Sequence, residues 1–563
     1  MRTANRWRWS ALCLAFALAL CGQAARAAGG QTLDPAVEAA LRAYAADEGL
    51  AWQAPQPLTD PALAEGVQAI RTLTLDDPAQ PVAGLEALAD LPDVQTLTVQ
   101  GGTFTSLAGL AGHPSLTTLV LRDCPAADLT PLASCPRLSS VTLLWSEGAA
   151  QTGAYDLTPL ASCPKLTALT LGGGCVRSLA PLTGLSTLTD LTLDGLTVET
   201  YAPVGTLRNL VNLRLGGLSG TQTEQALTGL GRRLATLYLT DCALTPQACD
   251  ALFGCARLKN LGLTRVQGVD ASAEGWARLK NLTTLQMQGG ALSDLRFLAP
   301  LTGTAIVTLT DVALGAAGTE CTVDFDKYFL RLTDVPPENV VQLLSGKNRL
   351  WNYATLRGGQ AITPDVIKAF AGIKGLLSLD VQAVAPEAFA AGVWKGFESL
   401  KQLKLLDCPA AALDALANLS ALTRLTLTNC VLTGQDTIAA MRKLTVLTLR
   451  GCTVPDWAFL DALRCGRSLG TLCIAGCGGP DSLAFVARLP ALTVLAVEDA
   501  PISDATPLKT LAELSWASLY GCPLADAAVA AELTQLTRLS VNDGVSTGAY
   551  AGRVEHRPFV AVP

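Results

Sequence analysis

Histidine is nearly absent. His113 and His556 are the only two in 563 residues. A Ser-His-Asp or Cys-His catalytic site needs an imidazole beside its nucleophile, so such chemistry has little to draw on here. No C-x-x-C pair, H-E-x-x-H helix or P-loop occurs either, which leaves metal and nucleotide sites without support. Aromatics make up 5% of the chain and charged residues 16%, against 50% apolar. That balance excludes a disordered chain and favours aliphatic packing. Beyond the N-terminus no stretch reaches 18 consecutive apolar residues, so no transmembrane segment is expected. Together these absences argue against an enzyme and against any cofactor or bound metal.

The first 27 residues differ from the rest. Arg2, Arg6 and Arg8 precede the apolar run "SALCLAFALAL", and "ARA" (Ala25-Arg26-Ala27) offers a small-x-small cleavage site. This is the pattern of a secretory signal peptide. A lipoprotein reading through Cys21 fits poorly, because Leu20 stands where a small residue is needed. The expected product is secreted or associated with the cell surface. Removing residues 1–27 takes away four arginines and no acid, which moves the formal charge from −7 to −11. An acidic chain of this kind is a poor match for nucleic acid or an anionic membrane.

What the sequence has in abundance is one repeated pattern. "LTPLASCP" occurs at Leu129–Pro136 and again at Leu157–Pro164. Each copy is followed by L-x-x-(L/V)-x-L, and this hexad recurs along most of the chain. Its second apolar position falls at 73, 97, 119, 141, 169, 191, 213, 237, 261, 285 and 307, then at 379, 403, 425, 447, 472, 495, 517 and 539. The usual step is 22 to 24 residues, and a phase kept this long marks a repeat array. Alternation in L-x-L reads as a short strand with one buried face. The connecting half, broken by proline, suits a short helical or extended turn back. Pro131, Pro159, Pro181, Pro203 and Pro507 all lie ten residues before their coil's second apolar position. One unit cannot bury its own leucines. Stacking buries them between neighbours, at about 1.5–3 kcal/mol per side chain.

The L-x-x-L-x-L strands and the "DLTPL"/"SLAPL" returns at Asp128–Leu132, Asp156–Leu160 and Ser178–Leu182 resemble the leucine-rich repeat. The likeness is to the 22-residue kind of internalin-like bacterial secreted proteins. The stretch "LDPAVEAALRAYAA" is similar to their helical N-terminal cap. The resemblance implies an α/β solenoid: a curved parallel sheet of about 19–21 coils, with short helices or turns on the convex side and a concave sheet that commonly binds protein. The organisation expected is a signal peptide (1–27), a helical cap (28–66), repeats (67–311), a divergent middle (312–375), repeats again (376–545) and a C-terminal cap or tail (546–563). For the middle, two degenerate coils are favoured over a small inserted domain. "YFLRLT" and "LWNYATL" fall near the expected phases, and "PPENVVQLLSG" and "TPDVIKAFAGI" read as helices. No sorting signal or immunoglobulin-like segment follows the repeats, so a wall-anchored invasin is not expected.

Seven cysteines, Cys124, Cys242, Cys408, Cys430, Cys452, Cys477 and Cys522, stand where the repeat family usually places Asn. A ladder of reduced thiols is expected, each a small donor that tolerates burial. His113 shares a second repeat position with Cys135, Cys163 and Cys255, so it reads as a structural residue.

Residues between the strand leucines face outward. Many are Thr, as at Thr142, Thr170 and Thr192, which suits β-propensity on an exposed strand. Interfaces favour aromatics and arginine. The candidate contacts are therefore Trp145, Tyr238, Trp516, Tyr520 and Arg538, a basic patch including Lys404, Arg424 and Arg450, and the insertion from Trp145 to Tyr155. The expected function is an exported binding module for a protein partner, with adhesion or recognition as its role. A glycan-binding or passive wall-associated protein is the alternative. A carboxylate-pair glycosidase would need two acids ~5–9 Å apart in a cleft, which a repeat sheet does not obviously offer.

Overall fold

The computed structural model describes residues 34–37, 39, 71–77 and 81–559, apart from 126–127, 147–152, 231–232, 302, 316–317, 346–350 and 525. The residues expected to form a signal peptide, most of those expected to form a helical cap and the middle of the insertion after Trp145 lie outside the described residues. Of the cap, the residues from Pro35 to Val37 are helical. Asp34 caps them, accepting from Ala36 N at 2.9 Å, and its other oxygen accepts from the amides of Ala83 and Gly84 at 2.7 and 2.9 Å. One carboxylate thus ties the cap to the first return segment.

The chain divides into two compact units, residues 1–270 with 274–290, and residues 271–273 with 291–563. In the first, parallel strands run from Thr72–Leu75 to Thr284–Gln288. Their register follows the repeat phase residue for residue. Leu73 pairs with Leu97, Leu97 with Leu119, and the series continues through Val141, Leu169, Leu191, Leu213, Leu237 and Leu261 to Leu285. Each of these side chains is buried. A slip of one residue would turn the whole leucine row outward, so burial enforces the register.

The return segments are mostly single turns of 3-10 helix. The two copies of "LTPLASCP" form Thr130–Ser134 and Thr158–Ser162, each with proline in its first turn. Proline fits there because the missing N–H would have no intrahelical partner. Asp128 Oδ1 accepts from the amide and hydroxyl of Thr130, and Asp156 repeats this with Thr158. Wider returns become α-helices, as at Gly220–Leu227 and Pro246–Phe253.

The second unit carries the same ladder from Leu330 through Ala354, Leu379, Leu403, Leu425, Leu447, Leu472, Leu495, Ala517 and Leu539 to Val554. "YFLRLT" and "LWNYATL" supply the strands Phe329–Thr333 and Tyr353–Arg357, and the two expected helices form at Pro337–Leu344 and Pro364–Ala371. One feature departs from the repeat. Ile306–Leu314 is followed by an antiparallel strand, Thr319–Phe325, which pairs in turn with Phe329–Thr333. Here the chain returns within the sheet instead of behind it. The last strand, Arg553–Glu555, pairs parallel with Arg538–Ser540.

All fifteen described cysteines are unpaired thiols. In the ladder each sits at the first turn after its strand. Cys124 Sγ reaches the carbonyl of Val99 in the preceding coil at 3.6 Å, Cys452 that of Leu427 at 3.4 Å, and Cys522 that of Val497 at 3.2 Å. The residue before each ladder cysteine is Asp, Asn or Gly at positive φ: Asp123, Asp241, Asp407, Asn429, Gly451, Gly476 and Gly521. The left-handed turn aims the thiol back at its neighbour, and these three residue types tolerate it best. His113 occupies the matching return position. Its Nε2 donates to Leu91 O at 2.9 Å, while its Nδ1 accepts from Leu116 N at 3.1 Å.

Candidate functional site

The exposed face of the strands in the second unit is a grid. Its central column, one residue per coil, runs Arg331, Thr355, Asp380, Lys404, Thr426, Thr448, then Cys473, Ala496, Ser518 and Ser540. Of the first six, three are charged and three are Thr, and the last four are small.

At the early end an aromatic patch stands out from the sheet. Phe329 and Tyr353 are 42% and 41% exposed and face each other in register. Their rings stack at 4.7 Å with 14° between planes. Tyr328 and Ile306 are also exposed, and the Lys327 ammonium lies 5.4 Å from the Tyr328 ring. Most of a folded chain's large apolar side chains are buried, so this exposed group is a candidate contact surface. Sequence reasoning missed these residues. The signal was there, because both aromatics directly precede the apolar position of coils that fall on the expected phase.

Beside the patch the charges are mostly spoken for. Arg357 pairs with Asp380 at 2.6 Å. Burial raises the Asp380 carboxyl pKa, opposed by Arg357 and by Lys404 on the next strand. Arg424 is exposed and half-buried Arg450 points to the late end of the face.

At that late end the chain covers its own sheet. Phe559 is only 8% exposed and packs on Cys473, Ala496 and Trp516. Its ring meets Trp516 edge-on at 4.4 Å, and the Arg538 guanidinium lies 5.1 Å from the Trp516 ring centre. Phe559 N donates to Glu498 Oε1 at 2.5 Å, and Ser518 Oγ donates to the same oxygen. Arg450 reaches Phe559 O at 3.5 Å, and Ser540 Oγ donates to Arg557 O. Burial raises the Glu498 carboxyl pKa above its ordinary range. Trp516 and Arg538, expected from sequence on neighbouring coils, meet here around an intramolecular occupant, and Arg450, expected in a separate basic patch with Lys404 and Arg424, reaches the same occupant. Tyr520 is half-buried nearby, its carbonyl accepting from Asp499 N.

Two candidates require correction. Trp145 and Tyr155 are 6% and 4% exposed and do not reach the strand face. Trp145 lies just past its strand, where side chains turn under the loop. Its Nε1 and the Tyr155 hydroxyl both donate to Cys124 O, at 2.9 and 3.2 Å. Both are held inside by the need to satisfy a buried carbonyl. In the first unit, Tyr238 does lie on the face. The Arg214 guanidinium sits 4.2 Å over its ring, and the ring covers Gly262 on the next strand.

Among the described residues, no group of three or more His, Cys, Asp or Glu side chains is placed to hold a metal, and no helix is long and apolar enough to cross a membrane. No family model matches the chain, and no curated protein matches its sequence. Solved structures do match. Internalin C2 from Listeria monocytogenes is 20% identical with a TM-score of 0.30, covering 45% of this chain and 93% of its own. TLR13, solved in a complex with ssRNA13, is 15% identical with a TM-score of 0.45, covering 85% and 79%. A leucine-rich-repeat protein of Leptospira interrogans is 15% identical with a TM-score of 0.34, covering 83% and 95%. The in-register parallel strands, the turn-back segments and the inward leucine ladder establish the same architecture directly, and in fold this chain is a leucine-rich-repeat solenoid.

Proposed function

We propose that the chain is an exported, internalin-like binding module that recognises a protein through the strand face of its second unit. The observation that carries this reading is the exposed Phe329–Tyr353 stack with Tyr328 and Ile306 beside it. Large aromatics on a rigid sheet give contact area at little entropic cost, and such residues dominate interface energies. Export rests on the N-terminal pattern of arginines, apolar run and "ARA". A binding role is supported by the scarcity of histidine, since both ring nitrogens of His113 are engaged in backbone hydrogen bonds. Polysaccharide binding is the second reading. Sugars favour flat rings laid side by side, whereas Phe329 and Tyr353 stack on each other, which favours a protein.

The test is binding of residues 28–563 to a panel of surface proteins and glycans, beside a variant with Phe329→Ala and Tyr353→Ala. A protein ligand lost by the variant supports the proposal. A ligand retained in full by the variant, or a glycan as the only hit, overturns it.

A further inference from the structure

The late end of the same strand face carries a second inference, independent of the aromatic stack. Where earlier coils place Arg331, Asp380 and Lys404 in the central column, the last ones place Cys473, Ala496, Ser518 and Ser540. Small side chains on a sheet leave a depression. Trp516 and Arg538 form one side of it, in the column next to the small residues. Glu498 lies in it, buried to 2% exposure.

What fills the depression is backbone-read. Glu498 takes the Phe559 N–H, Arg450 reaches the Phe559 carbonyl, and Ser540 donates to the carbonyl of Arg557. The Phe559 ring supplies the apolar contact on Cys473 and Ala496. Apart from that ring, these contacts ask nothing of the occupant's side chains, so they suit an extended peptide of varied sequence. The Trp516 indole N–H is buried here and has no hydrogen-bond partner among the described residues. A buried donor without an acceptor is costly, so the tail leaves one demand of the site unmet. The tail also lies outside the repeat: the fold's ladder ends at Arg553–Glu555, and the segment beyond turns back across the sheet.

We propose that this cleft is a binding site for an extended peptide bearing an aromatic residue, and that the chain's own C-terminal segment occupies it until a partner peptide displaces it. A tethered occupant competes at a high effective concentration, about millimolar for a short link. The free chain is therefore closed toward weak ligands and opens only to one that binds better, for instance by giving the Trp516 N–H an acceptor.

The experiment compares the chain ending at Glu555 with the full chain, using a labelled peptide of residues 556–563 as probe. Cys473, beneath Phe559, is a built-in footprint through alkylation and mass spectrometry. The shortened chain is expected to bind the peptide saturably, at least tenfold more tightly than the full chain, and to lose binding when the peptide carries Phe559→Ala. Cys473 is expected to be protected in the full chain, labelled in the shortened chain, and protected again by the peptide. Full-length Phe559→Ala keeps the tail while removing its anchor, and it decides the matter if the shortened chain fails to fold. Equal affinity of full and shortened chains, or a folded Phe559→Ala variant that neither binds the peptide nor exposes Cys473, overturns the proposal.

Discussion

Phe559 and Trp516 meet edge to face, 4.4 Å between ring centres and 64° between planes, across 43 residues of sequence. The contact sits on the exposed face of the sheet, whereas the leucine core lies behind it. Its loss therefore frees a segment without unfolding a coil. Phe559→Ala is expected to abolish amide-exchange protection at Phe559 and to leave the strand amides of Leu472, Leu495 and Leu539 protected at the global level. Exchange reports such local opening separately from global stability. Loss of protection in those strands would show that the tail is part of the folding core.

The exposed aromatic stack makes the opposite demand. Phe329 and Tyr353 are each more than two-fifths exposed, so removing them leaves no cavity. The double alanine variant is expected to change stability by no more than about 1 kcal/mol, in line with exposed substitutions and the modest worth of one aromatic pair. Urea unfolding checks this. A large loss would mean that the stack holds the sheet together and is not a contact surface.

The buried thiols outside the ladder, Cys163, Cys175 and Cys255 among them, are predicted to be inert. Burial pushes the Cys163, Cys175 and Cys255 thiols up to about 11, so almost no thiolate exists at neutral pH. Half-buried Cys477 is the most accessible member of the described set. A thiol reagent applied to native residues 28–563 should titrate at most about one group rapidly, and all fifteen cysteines of that span in denaturant. Fewer than fifteen in denaturant without reductant would reveal disulfides.

How much of this was legible in the sequence differs by element. The leucine phase translated directly into strand register, because a buried row and a fixed period leave one pairing open. The prolines of "LTPLASCP" landed in the first turns of 3-10 helices for the reason their chemistry suggests. The left-handed residue before each ladder cysteine was also readable, as Asp, Asn or Gly. The antiparallel strand Thr319–Phe325 was not, since its alternation, buried at Cys321, Val323 and Phe325, matches that of any half-buried strand. Trp145 misled because the outward-facing rule ends with the strand. Phe559 and Glu498 were invisible for a different cause. Their partnership joins residues 61 apart in a segment with no repeat phase to place it.

His113 should make stability depend on pH. Burial lowers its folded-state pKa below the ordinary 6.5. Above that value the ring is neutral in both states and contributes fully. As pH falls through 6.5 the unfolded chain gains a proton that the folded chain refuses, so stability drops. The repeat itself suggests a control. Cys135 holds the equivalent place one coil on, and its Sγ reaches the Leu110 carbonyl at 3.0 Å. His113→Cys is expected to fold with a loss of about 1 kcal/mol or less, the worth of one net hydrogen bond. Its melting temperature should fall less between pH 7 and 5.5 than that of the unsubstituted chain. Parallel curves for the two would remove His113 as a source of acid sensitivity.

Gly262 and Tyr238 offer a test of packing on the strand face of the first unit. The two are paired across adjacent strands, and a Cβ at Gly262 would stand 2.3 Å from the Tyr238 ring. Gly262→Ala therefore forces the ring aside and away from Arg214, which lies 4.2 Å over it. Overpacking of this kind costs about 1–3 kcal/mol. With Tyr238→Ala already in place the clash is gone, and alanine is the better strand residue by about 0.5–1 kcal/mol. The same substitution is thus expected to destabilise one background and stabilise the other. A double-mutant cycle by denaturant unfolding measures the difference, expected at about 2 kcal/mol for residues in direct contact. Additive effects would mean that the tyrosine ring does not rest on the glycine in solution, and that Tyr238 is free to reach outward as a contact residue.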